Sequence, residues 1–182
     1  MQLSFSRYLY KPRSREDSRE RFVVPITAVN ASWFRREIKA IEVGQELAFE
    51  SRIRWKGQLR HVPMIDFKGT AAGQLRAILD IFPGSHKLEP FVYYSGRSFH
   101  AYFLELLSNR DWIRFMGSAL LCNTPDNPNV VDQRWIGHRL IAGYSSLRWS
   151  VNGSRHKTQP RRVPSLLLDV SAREKRKVLT IL

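Results

Sequence analysis

The 182-residue chain is short of cysteine, of long apolar runs and of acids, and each shortage removes a class of protein. A lone cysteine, Cys122, excludes an intramolecular disulfide and a cysteine-rich zinc cluster. It follows Leu120 and Leu121, the setting of a small core residue rather than a nucleophile. No apolar run approaches the ~20 residues that cross a bilayer. Met1 to Tyr10 is interrupted by Arg7, so neither a signal peptide nor a membrane partner is expected, and the cytoplasm is the expected location. Acids number 16 against 30 Lys and Arg, which leaves a formal net charge of +14. A protein that basic meets phosphate, in nucleic acid, in nucleotides or on anionic lipid. Apolar residues make up 43% of the chain, enough to build a core under that charge.

The chain divides into a charged N-terminal arm, residues 1–30, and a single domain, 31–182, that ends in a basic segment. From Arg13 to Arg21, arginines mix tightly with Glu16, Asp17 and Glu20, which predicts a polar arm or a short exposed helix with a solvated face. Ser32 to Ile38 reads as a short amphipathic helix. Leu47–Trp55 and Leu59–Phe67 alternate as strands do, with Lys56-Gly57-Gln58 as the turn of a hairpin. Leu75, Ile78, Leu79 and Phe82 recur at helical spacing, and Pro83-Gly84 would end that helix. Phe91–Tyr94 and Ser98–Leu104 read as strands. Ser108, followed three residues later by Asp111, opens a helix whose apolar face is Trp112, Phe115, Met116, Ala119 and Leu120. A last strand, Ser146–Val151, would complete a split β-α-β-β-α-β (RRM-like) sheet behind an N-terminal helix and hairpin, an α+β fold. RNA-recognition modules share that sheet with many other proteins, so it does not by itself give a function. From Arg148 to Lys177 nine Lys or Arg meet only Asp169 and Glu174, so half of the net charge of +14 lies in one stretch. A localised phosphate-binding surface follows.

Three segments carry residues capable of chemistry. Asp66 ends an apolar strand immediately before a helix, where open sheets expose ligand-binding edges. In the second, Ser98, His100 and Tyr102 share one face of a strand, while Phe99, Ala101 and Phe103 share the apolar face. The Ser95-Gly96-Arg97 turn beside them offers amides, a hydroxyl and a guanidinium to a polyphosphate. In the third, Asp132 follows Val130-Val131, and His138-Arg139, Ser146-Leu147-Arg148-Trp149-Ser150, His156-Lys157-Thr158 and Val163-Pro164 come after it.

Taken in this order, the Asp strand, the Ser-x-His strand, the second Asp and the Leu147-Arg148, Lys157-Thr158 and Val163-Pro164 segments resemble the archaeo-eukaryotic primase superfamily over residues 60–165. Ser95-Gly96-Arg97 is similar to the turn before the histidine strand in primase small subunits. The resemblance implies a primase-type core in which Asp66 and Asp132 hold Mg²⁺ or Mn²⁺ and are catalytic together with His100. It implies that His100 contacts the phosphates of the incoming nucleotide, with Ser95, Arg97, Ser98, Arg148 and Lys157 assisting. Lys68, Arg139, Arg155, Arg161 and Arg162 would then meet nucleic acid. Such a core would act on nucleoside triphosphates and a template, with a partner subunit. One position departs from the pattern. The first motif of the family usually carries a second acid two residues after the first, and here that residue is Lys68. Either another carboxylate, Asp80 or Glu105, takes its place, or one metal binds, or the chemistry is lost.

Two functions compete on these grounds: a primase or primer-extending polymerase that transfers nucleotides from NTP or dNTP, and a non-catalytic primase-like module that holds nucleotide or nucleic acid through the same face. A scaffold that docks an acidic partner through its basic tail would leave the Ser-x-His strand unexplained.

Overall fold

The computed structural model describes residues 1–11, 14, 16–69, 90–153, 155 and 157–163. The expected helix around Leu75–Phe82, Asp80, His156 and the tail from Pro164 lie outside these described residues. In chain order the elements are β1 (Gln2–Leu9), β2 (Glu20–Pro25), a 3-10 turn (Ile26–Ala28), α1 (Ala31–Ala40), β3 (Gln45–Trp55), β4 (Gln58–His61), β5 (Met64–Asp66), β6 (Phe91–Tyr94), β7 (Phe99–Tyr102), α2 (Asn109–Leu120), α3 (Gln133–Ala142), β8 (Ser146–Arg148) and β9 (Arg161–Val163). They form an α+β structure with two antiparallel sheets. One runs β2-β1-β3-β4, with β8 also paired to β3, and the other runs β5-β7-β6-β9.

The expected hairpin forms with a two-residue turn. Lys56 and Gly57 both take positive φ, 48° and 75°, as a turn matched to strand twist demands. Its second strand is shorter than the alternation predicts. Pro63 has no N–H to give to a ladder, so the run breaks there into β4 in the first sheet and β5 in the second. The final strand differs too. Ser146–Arg148 pairs with β3 in register Ala48↔Arg148 rather than completing the sheet of β5, whose free edge is instead bridged by Val131 opposite Phe67.

The charged N-terminal stretch is not an arm. Leu3 and Phe5 alternate with Ser4 and Ser6, and β1 takes a central place between β2 and β3, with Phe5 fully buried. Asn30 caps α1 by accepting from Ser32 N and Trp33 N. Ser108 caps α2 by accepting from Asp111 N, as its sequence predicts, and Trp112, Phe115, Met116 and Ala119 are the buried face.

The core has two parts, one on each face of the second sheet. Ile65, Phe99, Ala101 and Phe103 pack with Trp112, Met116 and Ile136 of α2 and α3. Met64 and Tyr102 turn the other way, toward Phe5, Leu47, Phe49 and Trp33. The face expected to be polar on β7 is therefore the inter-sheet face. A buried polar knot ties the layers together. Ser51 Oγ lies 3.1 Å from His61 Nδ1 and accepts from Ser145 N, and Ser145 Oγ accepts from Trp112 Nε1 at 3.1 Å. The His61 ring stacks on Trp112 with centroids 4.8 Å apart.

Burial, aided by the nearby charge of Arg52, lowers the His61 imidazole to about 4. Its neutral form is thus the folded form, and unfolding lets it take a proton below its ordinary value of 6.5. The stability that it contributes is fully present above that value and is lost as the pH falls toward 4. In thermal melts, His61→Gln is expected to cost on the order of 1–3 kcal/mol at pH 7.5 by unbalancing the buried hydrogen bonds. The difference from wild type should shrink steadily toward pH 4.5. A difference independent of pH would show that the imidazole is not held neutral.

Candidate phosphate and metal site

Strand pairing aligns the candidate residues across the second sheet. Asp66 lies opposite His100, His100 opposite Tyr93, and Tyr93 opposite Arg162. The Phe67↔Val131 bridge, with Asp132 N donating to Asp66 O at 3.0 Å and Lys68 N to Val130 O at 3.1 Å, sets Asp132 opposite Asp66. Opposed residues of an antiparallel pair send their side chains to the same face, with Cβ atoms ~5 Å apart. Two aspartates far apart in the chain are thereby neighbours, and His100 Nε2 is 3.7 Å from Asp66 Oδ1.

Each has a structural reason to stand where it does. Asp66 ends β5 on the inter-sheet face, one alternation beyond the buried Met64. Asp132 is the N-cap of α3, its Oδ1 accepting from Trp135 N at 3.0 Å, a helix that the sequence reading did not anticipate. Burial pushes the Asp66 carboxyl up to about 8, the negative Asp132 pushes in the same direction, and Arg148 opposes both.

The row opens into a cavity of about 330 Å³ between the two sheets. Asp66, Lys68, Ser95, Arg97, Ser98, His100, Asp132, Arg139, Arg148 and Arg155 all line it, so the structure gathers residues that the sequence spreads over ninety positions. Lys157, Arg161 and Arg162 are not in its wall. Arg161 and Arg162 sit on β9 at the edge of the second sheet, with the Arg162 guanidinium 4.7 Å above the Phe91 ring. Glu105 is exposed beyond β7 and also lies outside the wall.

Two expected ligand-binding arginines have other duties. Arg148 is 5% exposed, and its guanidinium donates to the carbonyls of Ser95 (2.9 Å), Thr158 (3.1 Å) and Ser150. It fixes the turn between β6 and β7 rather than projecting as a free phosphate fork. The same turn needs Gly96, whose φ is +102° and where a Cβ would overlap Thr158 Oγ1. Arg139, expected on a nucleic-acid surface, is 2% exposed and ion-paired to Asp17. Sequence reading missed Tyr8, Asp17 and Arg19 as site residues, and they also line the cavity. The alternation of Leu3 and Phe5 was the available signal that β1 leads into this wall.

Acidic residues with a histidine at one end and cations around the rest suit the cavity to a polyphosphate carrying a hard cation. Among the described residues no group of three or more His, Cys, Asp or Glu could hold a metal by itself. A cation at Asp66 and Asp132 would need oxygen donors from its ligand or from water, as Mg²⁺ commonly does.

The mixed α+β structure with two antiparallel sheets is compatible with a primase-like core, and a family match makes the protein a primase-like, nucleic-acid-related one. The chain belongs to the AEP-like family, archaeo-eukaryotic primase 1D-like, whose family model matches residues 26–161. No curated protein and no solved structure matches it. No helix among the described residues is long and apolar enough to cross a membrane.

The raised Asp66 carboxyl has a testable sign. The folded protein holds a proton there that the unfolded chain has lost, so its ionisation destabilises the fold as the pH rises from about 4 through about 8. In chelator, Asp66→Asn should melt a few degrees above wild type at pH 8.5 and level with it at pH 4.5. Added Mn²⁺ should raise wild type only. A variant that melts below wild type at pH 8.5 would reverse the assigned direction.

Proposed function

We propose that the protein binds a nucleoside triphosphate together with one divalent cation and transfers the nucleotidyl group to a growing strand on a nucleic-acid template, the strand's 3′-hydroxyl losing its proton and bonding to the α-phosphorus as the α–β bond breaks and pyrophosphate leaves. The opposition of Asp66 and Asp132 in the wall of a cation-lined cavity carries this reading. The two carboxylates would hold Mg²⁺ or Mn²⁺, which when bound would neutralise phosphate charge and orient the phosphates. His100 stands beside Asp66 to meet a phosphate oxygen as a donor. The Ser95–Ser98 turn offers hydroxyls and the Arg97 guanidinium from a backbone held rigid by Arg148 and by the contact of Gly96 with Thr158. Arg155, Lys157, Arg161 and Arg162 continue the positive charge outward, where a template strand would be attracted without sequence preference. The order β5-β7-β6, with Val131 at the free edge of β5, also supports the split core of the primase type.

Lys68 favours a second reading. It lines the cavity where the family usually has another acid, so its ammonium could meet phosphate directly in a module that binds nucleotide and does no chemistry.

Calorimetry with a nucleoside triphosphate separates the two. The expected result is binding that tightens at least tenfold with Mn²⁺ and loses that gain in Asp66→Ala and in Asp132→Ala, with primer extension abolished in both. Binding that ignores the metal in wild type and weakens only in Lys68→Ala would replace the first reading with the second.

A further inference from the structure

Eight cavity-lining residues, Asp17 and Arg19 among them, precede the residues matched by the family model. Asp17 and Arg19 lie on the segment between β1 and β2 and line the same cavity as Asp66. Arg19 Nε donates to both oxygens of Asp17, at 2.9 and 3.0 Å. Its Nη1 donates to Ser146 Oγ at 3.0 Å and to Ser6 Oγ at 3.3 Å, and its guanidinium lies 3.9 Å above the Tyr8 ring. The second oxygen of Asp17 also accepts from Arg139 Nη2. Arg139 belongs to the last turn of α3, is 2% exposed, and its Nε and Nη1 have no hydrogen-bond partner among the described residues.

Two guanidinium groups thus converge on one carboxylate. Burial, and after it the charge of Arg19, lowers the affinity of Arg139 for its own proton, and Asp17 only partly offsets them. Asp17 in turn would be raised by burial, yet the two arginines hold it below the ordinary carboxylate range. A single carboxylate offers two oxygens to guanidinium groups that present ten N–H donors in all. A phosphate chain offers more oxygens and more charge in the same space, and planar guanidinium forks suit it.

We infer that Arg19 and Arg139 form an anion-binding subsite for the polyphosphate tail of a nucleotide, which the Asp17 carboxylate fills in the free protein and leaves when the tail enters. The inference rests on reading the cavity as a nucleoside triphosphate site, and it adds a self-supplied anion that competes with the substrate. Placing the tail here orients the nucleotide, with its far phosphates toward β1 and its reacting end toward Asp66.

Inorganic triphosphate in chelator tests the subsite without metal, base or sugar, so its outcome is independent of the metal-dependent binding proposed above. Asp17→Asn leaves a buried guanidinium unpaired, which is strongly destabilising in proteins. Its melting temperature should therefore fall, and triphosphate should restore it while raising wild type much less. Triphosphate affinity should rise about tenfold in Asp17→Asn and fall at least tenfold in Arg19→Gln, and it should be unchanged in Asp66→Asn. Equal triphosphate shifts in wild type and Asp17→Asn would overturn the inference. So would rescue of Asp17→Asn by an unphosphorylated oligonucleotide but not by triphosphate. If Asp17→Asn does not fold, undiminished triphosphate binding by Arg19→Gln overturns it alone.

Discussion

A buried guanidinium must place its donors, and the placement of Arg148 organises the rest of the site. Its backbone belongs to β8 of the first sheet, while its side chain grips Ser95 at the β6–β7 turn of the second and Thr158 on the returning chain. One cation thereby sets the spacing of three segments at the cavity wall. Leaving such a group unpaired in a low-dielectric interior costs several kcal/mol, on the order of 3–5, so the three segments cannot drift apart independently. Glu46 plays the complementary part. Its buried carboxylate accepts from Ser150 Oγ, Asn152 N and Gly153 N, and its charge also favours the charged form of Arg148.

The excess of basic residues therefore has two uses. Part of it is structural: Arg21 pairs with the fully buried Glu50 across β2 and β3, and Arg7 bridges Glu20 and Glu37. Another part lines the cavity or lies on β9. Counting charges along the chain cannot separate these parts, because an arginine that ties two strands together and one that waits for phosphate have the same composition. Salt should weaken contacts to phosphate more than the pairs made by Glu37 and Glu50, since partly buried pairs are less screened.

Much of the framework was legible in the sequence. The β3–β4 turn follows from Lys56-Gly57, the cap of α2 from Ser108 and Asp111, and its buried face from the spacing of Trp112 to Ala119. The convergence of Asp66, His100 and Asp132 was legible only as an order of motifs. Their opposition depends on register, which a long-range bridge between Phe67 and Val131 sets, and no local signal encodes that bridge. Helix α3 was missed because its apolar pattern is weak: Ile136 is buried but so is Arg139, and Ile141 is exposed. The N-terminal strands were missed for the opposite reason, since the mixed charges of 13–21 masked a short alternation at Leu3 and Phe5. Pro63 was visible throughout, yet the alternation on either side of it concealed that the chain changes sheets there.

Polarity along the cavity is the last consequence of this arrangement. Asp66 and Asp132 stand together on the second sheet, and Arg19 and Arg139 converge on Asp17 elsewhere in the lining. Lys68 stands at the carboxylate end and offsets one of the two negative charges. Burial and the nearby Asp132 favour the protonated Asp66 carboxyl, so two aspartates beside a lysine would hold a divalent ion only with help from the ligand. In the proposed reading the phosphates would supply the missing oxygens and charge, so metal and nucleotide would reinforce each other's binding. That coupling is reciprocal by thermodynamic necessity. A change at the guanidinium end that alters the hold on phosphate must then alter metal affinity at the other end, although no residue there touches the ion.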